Sequence, residues 1–165
     1  MWLSDRLPAQ LKHAEEHQFC LAHLIRNAQY AIDHGDTIFA PGFKALLKDA
    51  CAVGRRRPDL ADATIAAHRR RLEKELDRLL ACKPTDAEGR KLRDAVALDC
   101  RGKLFVFLKR RDTEPTNNES ERALRPSVIF RKVTNGFRSE WGARTYAALC
   151  SIVETGRRNG RSALT

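Results

Sequence analysis

The chain has 165 residues, and 42% of them are hydrophobic, enough for about one domain with an apolar core. Its 31 Lys and Arg against 21 Asp and Glu give a formal net charge of +10, which favours a polyanionic partner. No stretch approaches the roughly 18 apolar residues of a membrane span, and the N-terminus lacks a secretory signal pattern, so we expect a cytoplasmic protein with no membrane partner.

The first 40 residues alternate between strand and helix patterns. Residues 1–5 are typical of the end of a buried strand, and residues 6–17 fit a helix. Residues 18–22 indicate a second buried strand, followed by a helix over 22–34. This order predicts the edge of an α/β sheet, although two strands alone do not make a stable sheet.

The middle of the chain is predicted to be all helical. Residues 43–53 are helical in pattern, and residues 60–80 carry a stripe of leucines at helical spacing. Pro84 and Thr85, with Glu88 after them, resemble a capping box that opens a further helix to about Arg110.

This middle part is also the most basic. Residues 55–111 hold 17 basic and 9 acidic groups, a net charge of +8. Single basic clusters are often only solvated surface, but several together favour nucleic acid. We therefore predict DNA contacts from two arginine clusters: Arg55, Arg56, Arg57, Arg69, Arg70 and Arg71.

The last third contains two predicted helices. The first follows possible caps at residues 116–118, and Pro126 is expected to end or kink it. The second covers 142–155. Phe137 and Trp141 could stack on an extruded base, but burial under the last helix is the favoured interpretation.

Acidic, amide and basic side chains are concentrated around Glu121. Spacing alone allows an ordinary structural role, because Asn118 with Glu121 is a capping pair at i and i+3, and Glu121 with Arg125 is a helix ion pair at i and i+4. The same group could instead bind a metal ion or DNA.

The segment PTNNESERALRPSVIFRKVTNGFRSEWGA resembles the block around the last catalytic carboxylate of DDE transposases of the insertion sequence sixty-six family. The match puts that carboxylate at Glu121. The segments LSDRLPAQL and HQFCLAHLIRNAQYAID are similar to the region of the family's second catalytic Asp, which places it at Asp5. The likeness covers nearly the whole chain, although residues 41–110 match mainly in character.

The resemblance implies a mainly α chain with a few short strands, the C-terminal fragment of an α/β ribonuclease H-like core that carries an all-helical insertion. Residues 1–40 would be a remnant of the core, 41–111 the insertion, and 112–165 the core helices that bear the catalytic Glu.

The resemblance also implies the chemistry of DNA transposition. Asp5 and Glu121 would hold Mg²⁺ or Mn²⁺ in the intact enzyme, which cuts and joins DNA by two-metal phosphoryl transfer. Basic residues that flank Glu121 would contact the phosphates of transposon ends: Arg122, Arg125, Arg131, Lys132 and Arg138.

One ligand of the family's triad has no counterpart in the sequence. The first Asp lies on the opening strand of the core, and only residues 1–4 precede Asp5. We therefore interpret the chain as a truncated or separately translated piece, and expect that alone it does not nick or join DNA. Asp5 could also be only the N-cap of the helix over 6–17.

Two other interpretations stay open. The chain could be a noncatalytic basic DNA-binding protein, or a module that completes a separate transposase chain. Cys20 and His23 have the spacing of metal ligands, but no second pair completes a zinc site, so a core role is favoured. The odd number of widely spaced cysteines predicts reduced thiols without disulfides.

Overall fold

A computed structural model of the chain describes residues 1–6 and 14–162. Within these residues the elements are two strands and six α-helices: β1 Trp2–Ser4, β2 His17–Phe19, α1 Leu21–Asp33, α2 Ala40–Arg56, α3 Asp62–Leu80, α4 Ala87–Ala95, α5 Asn118–Val133 and α6 Glu140–Arg158. The prediction of a mainly helical chain with a few short strands is confirmed. No helix among the described residues is long and apolar enough to cross a membrane.

The chain divides into two compact units, residues 1–119 and residues 120–165. The first unit has one hydrophobic core, to which residues from Phe19 to Leu108 contribute. Residues 1–40 and 41–111 therefore pack as one body, although the sequence assigns them to core and insertion. Their separate origin stays a prediction.

The two strands are parallel, with Trp2 opposite His17 and Ser4 opposite Phe19. Gln18, between them in β2, is completely buried. Its Nε2 donates to the Leu104 carbonyl at 2.9 Å, and its Oε1 accepts from the Phe107 amide at 3.0 Å. The buried amide is thus bonded on both sides, and it fastens β2 to a segment far along the chain.

The end of the helix predicted over residues 6–17 is not helical in the structure. Residues 7–13 lie outside the described residues, residues 14–16 are not helical, and His17 begins β2. The imidazole of His17 is buried, and its Nε2 lies 2.8 Å from the Ser4 hydroxyl oxygen. This pairing between the strands replaces the last turn of the predicted helix.

Helix α2 begins three residues before the predicted start because of a buried carboxylate. Asp36 accepts hydrogen bonds from the amides of Ile38, Phe39 and Ala40, at 3.0, 3.3 and 2.7 Å. These are amides that a helix start leaves without an internal partner. Helix α4 packs so closely here that a Cβ on Gly89 would lie 2.4 Å from Asp36 Cγ.

The long helix predicted from Pro84 to Arg110 is wrong beyond Ala95. Asp86 is the cap of α4, since its side chain accepts from the amides of Glu88 and Gly89. The helix ends at Ala95, and a π-helical turn and two short 3₁₀ turns follow: Val96–Cys100, Arg101–Lys103 and Val106–Leu108. These irregular turns bring consecutive residues 104–108 into the core, which one straight helix could not do.

The second unit contains α5 and α6. Pro126 lies inside α5, which continues to Val133, so of the two predicted outcomes, an end or a kink, the end is wrong. Phe130, Phe137 and Tyr146 form an aromatic cluster with ring centroids 4.4–5.5 Å apart. Trp141 is 77% exposed, which contradicts its predicted burial. All five cysteines of the chain are free thiols.

Candidate active site

Asp5 lies directly after β1, at the carboxyl end of the parallel strand pair. Its side chain is half-buried and lines a cleft of about 250 Å³. The other lining residues are Arg6, which follows Asp5, and residues from the end of β2 and the first two turns of α1: Phe19, Cys20, His23, Leu24 and Asn27. The carboxyl ends of parallel strands are where α/β proteins bind ligands.

Ser4 holds the backbone of Asp5 in place. Its hydroxyl donates to the Asp5 carbonyl at 2.7 Å, and its own carbonyl accepts from the Cys20 amide at 2.8 Å. The same hydroxyl contacts His17. Burial, with a smaller contribution from the Lys103 ammonium, lowers the pKa of His17 below its ordinary value. A neutral imidazole therefore supports the strand end that carries Asp5.

The segment that leads to Glu121 is attached to the same corner of the first unit. The Pro115 carbonyl accepts from the Leu21 amide at 3.0 Å, and the Asn117 amide donates to Cys20 Sγ at 3.4 Å. A Cβ on Gly54 would lie 3.2 Å from Pro115 Cγ, so α2 also packs closely on this segment. Residues 115–117 are thus fixed beside the cleft that Asp5 lines.

Arg57 positions the chain just before this segment. Its guanidinium is buried and donates to the carbonyls of Phe107, Arg110 and Thr113, at 2.7, 3.1 and 2.5 Å. It also pairs with Glu114 at 3.3 Å. The arginine is therefore used inside the fold, and we withdraw it from the predicted DNA contacts.

Glu121 lies in the first turn of α5, in the second unit, and its side chain is partly exposed. Asp5 belongs to the first unit. Each carboxylate is held by the elements of its own unit: the strand pair for Asp5, and the beginning of a 16-residue helix for Glu121.

Asp5 is the one carboxylate among the described residues that line the cleft, which also include Cys20 and His23. Asp5 presents carboxylate oxygen, the type of ligand that Mg²⁺ prefers. Cys20 is buried and its sulfur accepts a backbone hydrogen bond, which fits the predicted core role. In the part of the chain that the structure describes, no group of three or more His, Cys, Asp or Glu side chains could by itself hold a metal ion.

Comparison with known proteins identifies the family to which the chain belongs. The model of the Transposase IS66 family matches residues 4–145, which is most of the chain. The chain belongs to this transposase family. The resemblance found at Asp5 and Glu121 is thereby confirmed at the level of the family, and both residues lie inside the matched region.

A curated relative of this IS66-family chain is uncharacterised. Protein y4qI of Sinorhizobium fredii is 34% identical over 113 residues, which are 68% of this chain. The match spans 20% of the relative's length. No solved structure matches the chain.

The arginines of the proposed insertion differ in exposure and in whether they already form ion pairs. Arg55 and Arg56 are exposed near the end of α2, and Arg70 is exposed on α3. Arg69 pairs with Glu73 at 3.0 Å, and Arg71 pairs with Asp49 at 2.7 Å. The contact of each with DNA stays a prediction, and the ion pairs make Arg69 and Arg71 the weaker candidates.

The basic residues predicted around Glu121 are all exposed in the second unit. Arg122, Arg125, Arg131 and Lys132 lie along α5, and Arg138 lies in the loop before α6. Their roles as phosphate contacts of an IS66-family transposase stay predictions.

Two polar residues of the Asp5 cleft, Arg6 and Asn27, are not among the site residues predicted from the sequence. Asn27 could have been found, because it follows His23 by four residues and so lies on the same face of α1. Arg6 pairs with Asp99 at 3.3 Å, a partner 93 residues away that no local pattern indicates.

Proposed function

We propose that this chain acts in DNA transposition as part of the catalytic core of a DDE transposase, with Asp5 and Glu121 as ligands of Mg²⁺ or Mn²⁺. The observation that carries the proposal is the position of Asp5 in a cleft at the carboxyl end of parallel strands, in a chain of the Transposase IS66 family. The family's ribonuclease H-like core with a helical insertion is part of the same proposal.

The Asp5 cleft would supply one carboxylate ligand to a magnesium ion. Mg²⁺ is commonly held by one or two carboxylates, with water and substrate phosphate completing its shell. One half-buried carboxylate in a cleft of about 250 Å³ provides such a partial site. When bound, paired metal ions would activate a water or a DNA 3′-hydroxyl and stabilise the leaving oxygen.

The chain's own residues would position the ligands and the DNA. Ser4 and the strand pair hold Asp5, and the first turn of α5 carries Glu121. Exposed arginines would contact the phosphates of DNA without reading its base sequence. Such contacts suit an enzyme that must place a DNA backbone at a metal site. The DNA would be a transposon end, and other transposase chains would be further partners.

Substitution of the two carboxylates tests the proposal. The family's first Asp has no counterpart in these 165 residues, so the assay requires a transposase that contains this sequence and supplies that ligand. Asp5→Asn and Glu121→Gln should each reduce cleavage and joining of transposon-end DNA by at least roughly 100-fold, since changes in the outer shell of metal sites already cost roughly 10–100-fold. DNA affinity should stay the same.

Two substitutions serve as matched controls. Asp33→Asn alters an exposed carboxylate at the end of α1, and Glu119→Gln alters an exposed one two residues before Glu121. Both should leave cleavage unchanged. Normal cleavage by either Asp5→Asn or Glu121→Gln would show that the acidic positions are structural, and would favour the noncatalytic DNA-binding alternative.

A further inference from the structure

A basic groove lies in the first unit, next to the corner that holds the Asp5 cleft. It has a volume of about 510 Å³. Its walls are the start of α1, one face of α2 and the connector before α5, and its lining includes Lys48, Cys51, Arg55, Glu114, Pro115 and Asn118. Neither the family match nor the curated relative assigns a role to it.

The charge of the groove suits a phosphate backbone. Lys48 and Arg55 are both exposed, and neither forms an ion pair with the described residues. The carboxylate of Glu114 is paired with the buried Arg57 at 3.3 Å, so its charge is compensated within the fold. Burial raises the pKa of the Cys51 thiol, so the cysteine between the two cations stays neutral.

The two cations are spaced along one face of α2. Lys48 and Arg55 are two turns apart, which corresponds to about 10 Å along the helix axis. That length equals roughly three base-pair steps of 3.4 Å along the axis of B-DNA. A DNA backbone that follows α2 could therefore place phosphates against both side chains.

The groove and the Asp5 cleft adjoin the same junction between β2 and α1. Ala22 lines the groove, and Cys20 lines the cleft. The connector joins them, because Pro115 accepts from Leu21 while Asn117 donates to Cys20. The groove lies on the Ala22 and Ile25 side of α1 and the cleft on the His23 and Asn27 side, about half a turn away. A strand held in the groove would therefore reach the cleft by crossing the first turn of α1.

We propose that this groove binds the sugar-phosphate backbone of the DNA strand that is processed at Asp5, with Lys48 and Arg55 as the phosphate contacts. The proposal rests on the proposed function and adds one subsite to it. Lys48 is a positioning residue for DNA and takes no part in the chemical step.

Protection of Cys51 from alkylation tests the groove directly. The full chain is treated with N-ethylmaleimide, with and without a saturating DNA duplex that carries a single-stranded extension, and each cysteine is quantified by mass spectrometry. DNA should slow the modification of Cys51 severalfold. Cys82, half-exposed after the end of α3, is the internal reference and should react at the same rate in both samples.

Affinity measurements provide a second readout. The double substitution Lys48→Gln and Arg55→Gln should weaken binding of the same DNA by about tenfold or more, because each change removes a charge-assisted hydrogen bond to phosphate. It should also lower the slope of log K against log salt by roughly 0.9 for each duplex phosphate that is no longer neutralised, or 0.7 for a single strand. Lys74→Gln removes one positive charge from exposed α3, against two in the double variant, and should cause much less than half of the double variant's loss in log K.

The outcomes separate this proposal from the proposed function. DNA that binds, protects Cys51 and loses affinity in the double variant supports the groove. DNA that binds normally while Cys51 reacts unchanged, or while the double variant resembles Lys74→Gln, overturns the groove and leaves transposase function standing. A chain that binds no DNA at all overturns the groove, while cleavage by the transposase that contains this sequence decides the proposed function.

Discussion

Gly89 is a single residue whose missing side chain permits two helices to pack. A Cβ at this position would overlap the Asp36 carboxylate that caps α2. We expect Gly89→Ala to lower the free energy of unfolding by about 1–3 kcal/mol, although helix propensity alone favours Ala by about 1 kcal/mol. Urea unfolding followed by circular dichroism measures the change.

Gly102→Ala is the control for this substitution. Nothing lies within 4 Å of a Cβ at Gly102, so its effect should stay within about 0.5 kcal/mol. Equal stability of the Gly89→Ala protein and the unaltered protein would contradict the close contact between α4 and Asp36.

Arg57 illustrates a basic residue whose role is internal. Arg57→Met would leave three backbone carbonyls without their donor, and we expect a loss of at least about 2 kcal/mol in the free energy of unfolding. Arg56→Met, at the exposed neighbour, should change stability by no more than about 0.5 kcal/mol. Similar losses in both variants, measured by urea unfolding, would argue against the buried role.

Sequence composition does not show which arginine of a run is buried and which are exposed. The run at 55–57 predicts three surface cations, yet the fold buries the third. The difference depends on carbonyls 50 to 56 residues further along the chain. By contrast, Asp5 follows a short strand, as its local pattern predicts.

The strand pair should weaken as the pH falls, through His17. Burial lowers its pKa in the folded state, so below about pH 6.5 the unfolded chain binds a proton that the folded chain does not. The stability that neutral His17 contributes is present above that pH, and is lost as the pH falls toward the lower folded value. Unfolding between pH 8 and pH 5 should show this loss.

His17→Gln separates this effect from other titrating groups. The variant should lose less stability than the unaltered protein over the same pH range, while His34→Gln, at an exposed position, should behave like the unaltered protein. Parallel curves for all three proteins would rule out a contribution from His17.

Elements with a regular apolar period were predictable, and irregular ones were not. Helix α3 begins two residues after its predicted start and ends at the predicted residue, because Ile65, Leu72, Leu76 and Leu79 face the core. The helix predicted for the residues after α4 was wrong, because the buried residues there follow a π turn and 3₁₀ turns, which have no single period. The connector beside the Asp5 cleft is held by the hydrogen bond between Asn117 and Cys20, 97 residues apart, which no local pattern brings together.

For the whole molecule, the net charge of +10 predicts salt-sensitive binding to DNA with little sequence preference. The ion pairs of the arginines on α3 predict which of them contribute most to this binding. Arg70→Gln should weaken binding more than Arg69→Gln, since Arg69 already pairs with Glu73. Fluorescence anisotropy at several salt concentrations gives the affinities, and the slope should fall by roughly 1 for each phosphate that the variant no longer binds.

Two results would contradict this view of the basic surface. Equal affinity of all variants would remove the arginine cluster on α3 from the DNA contacts. A stronger effect of Arg69→Gln would show that its ion pair with Glu73 opens when DNA binds.

The buried amide of Gln18 also constrains how the protein is made. Its partners, Leu104 and Phe107, lie 86 and 89 residues further along the chain. At about 5–20 residues per second, a ribosome delivers them on the order of 5–20 s after Gln18. During that interval the Gln18 amide lacks these two partners and keeps only its bond to the Phe19 carbonyl. The contacts that fasten β2, the strand paired with the one before Asp5, therefore form only after the helices between Gln18 and Leu104 have been synthesised.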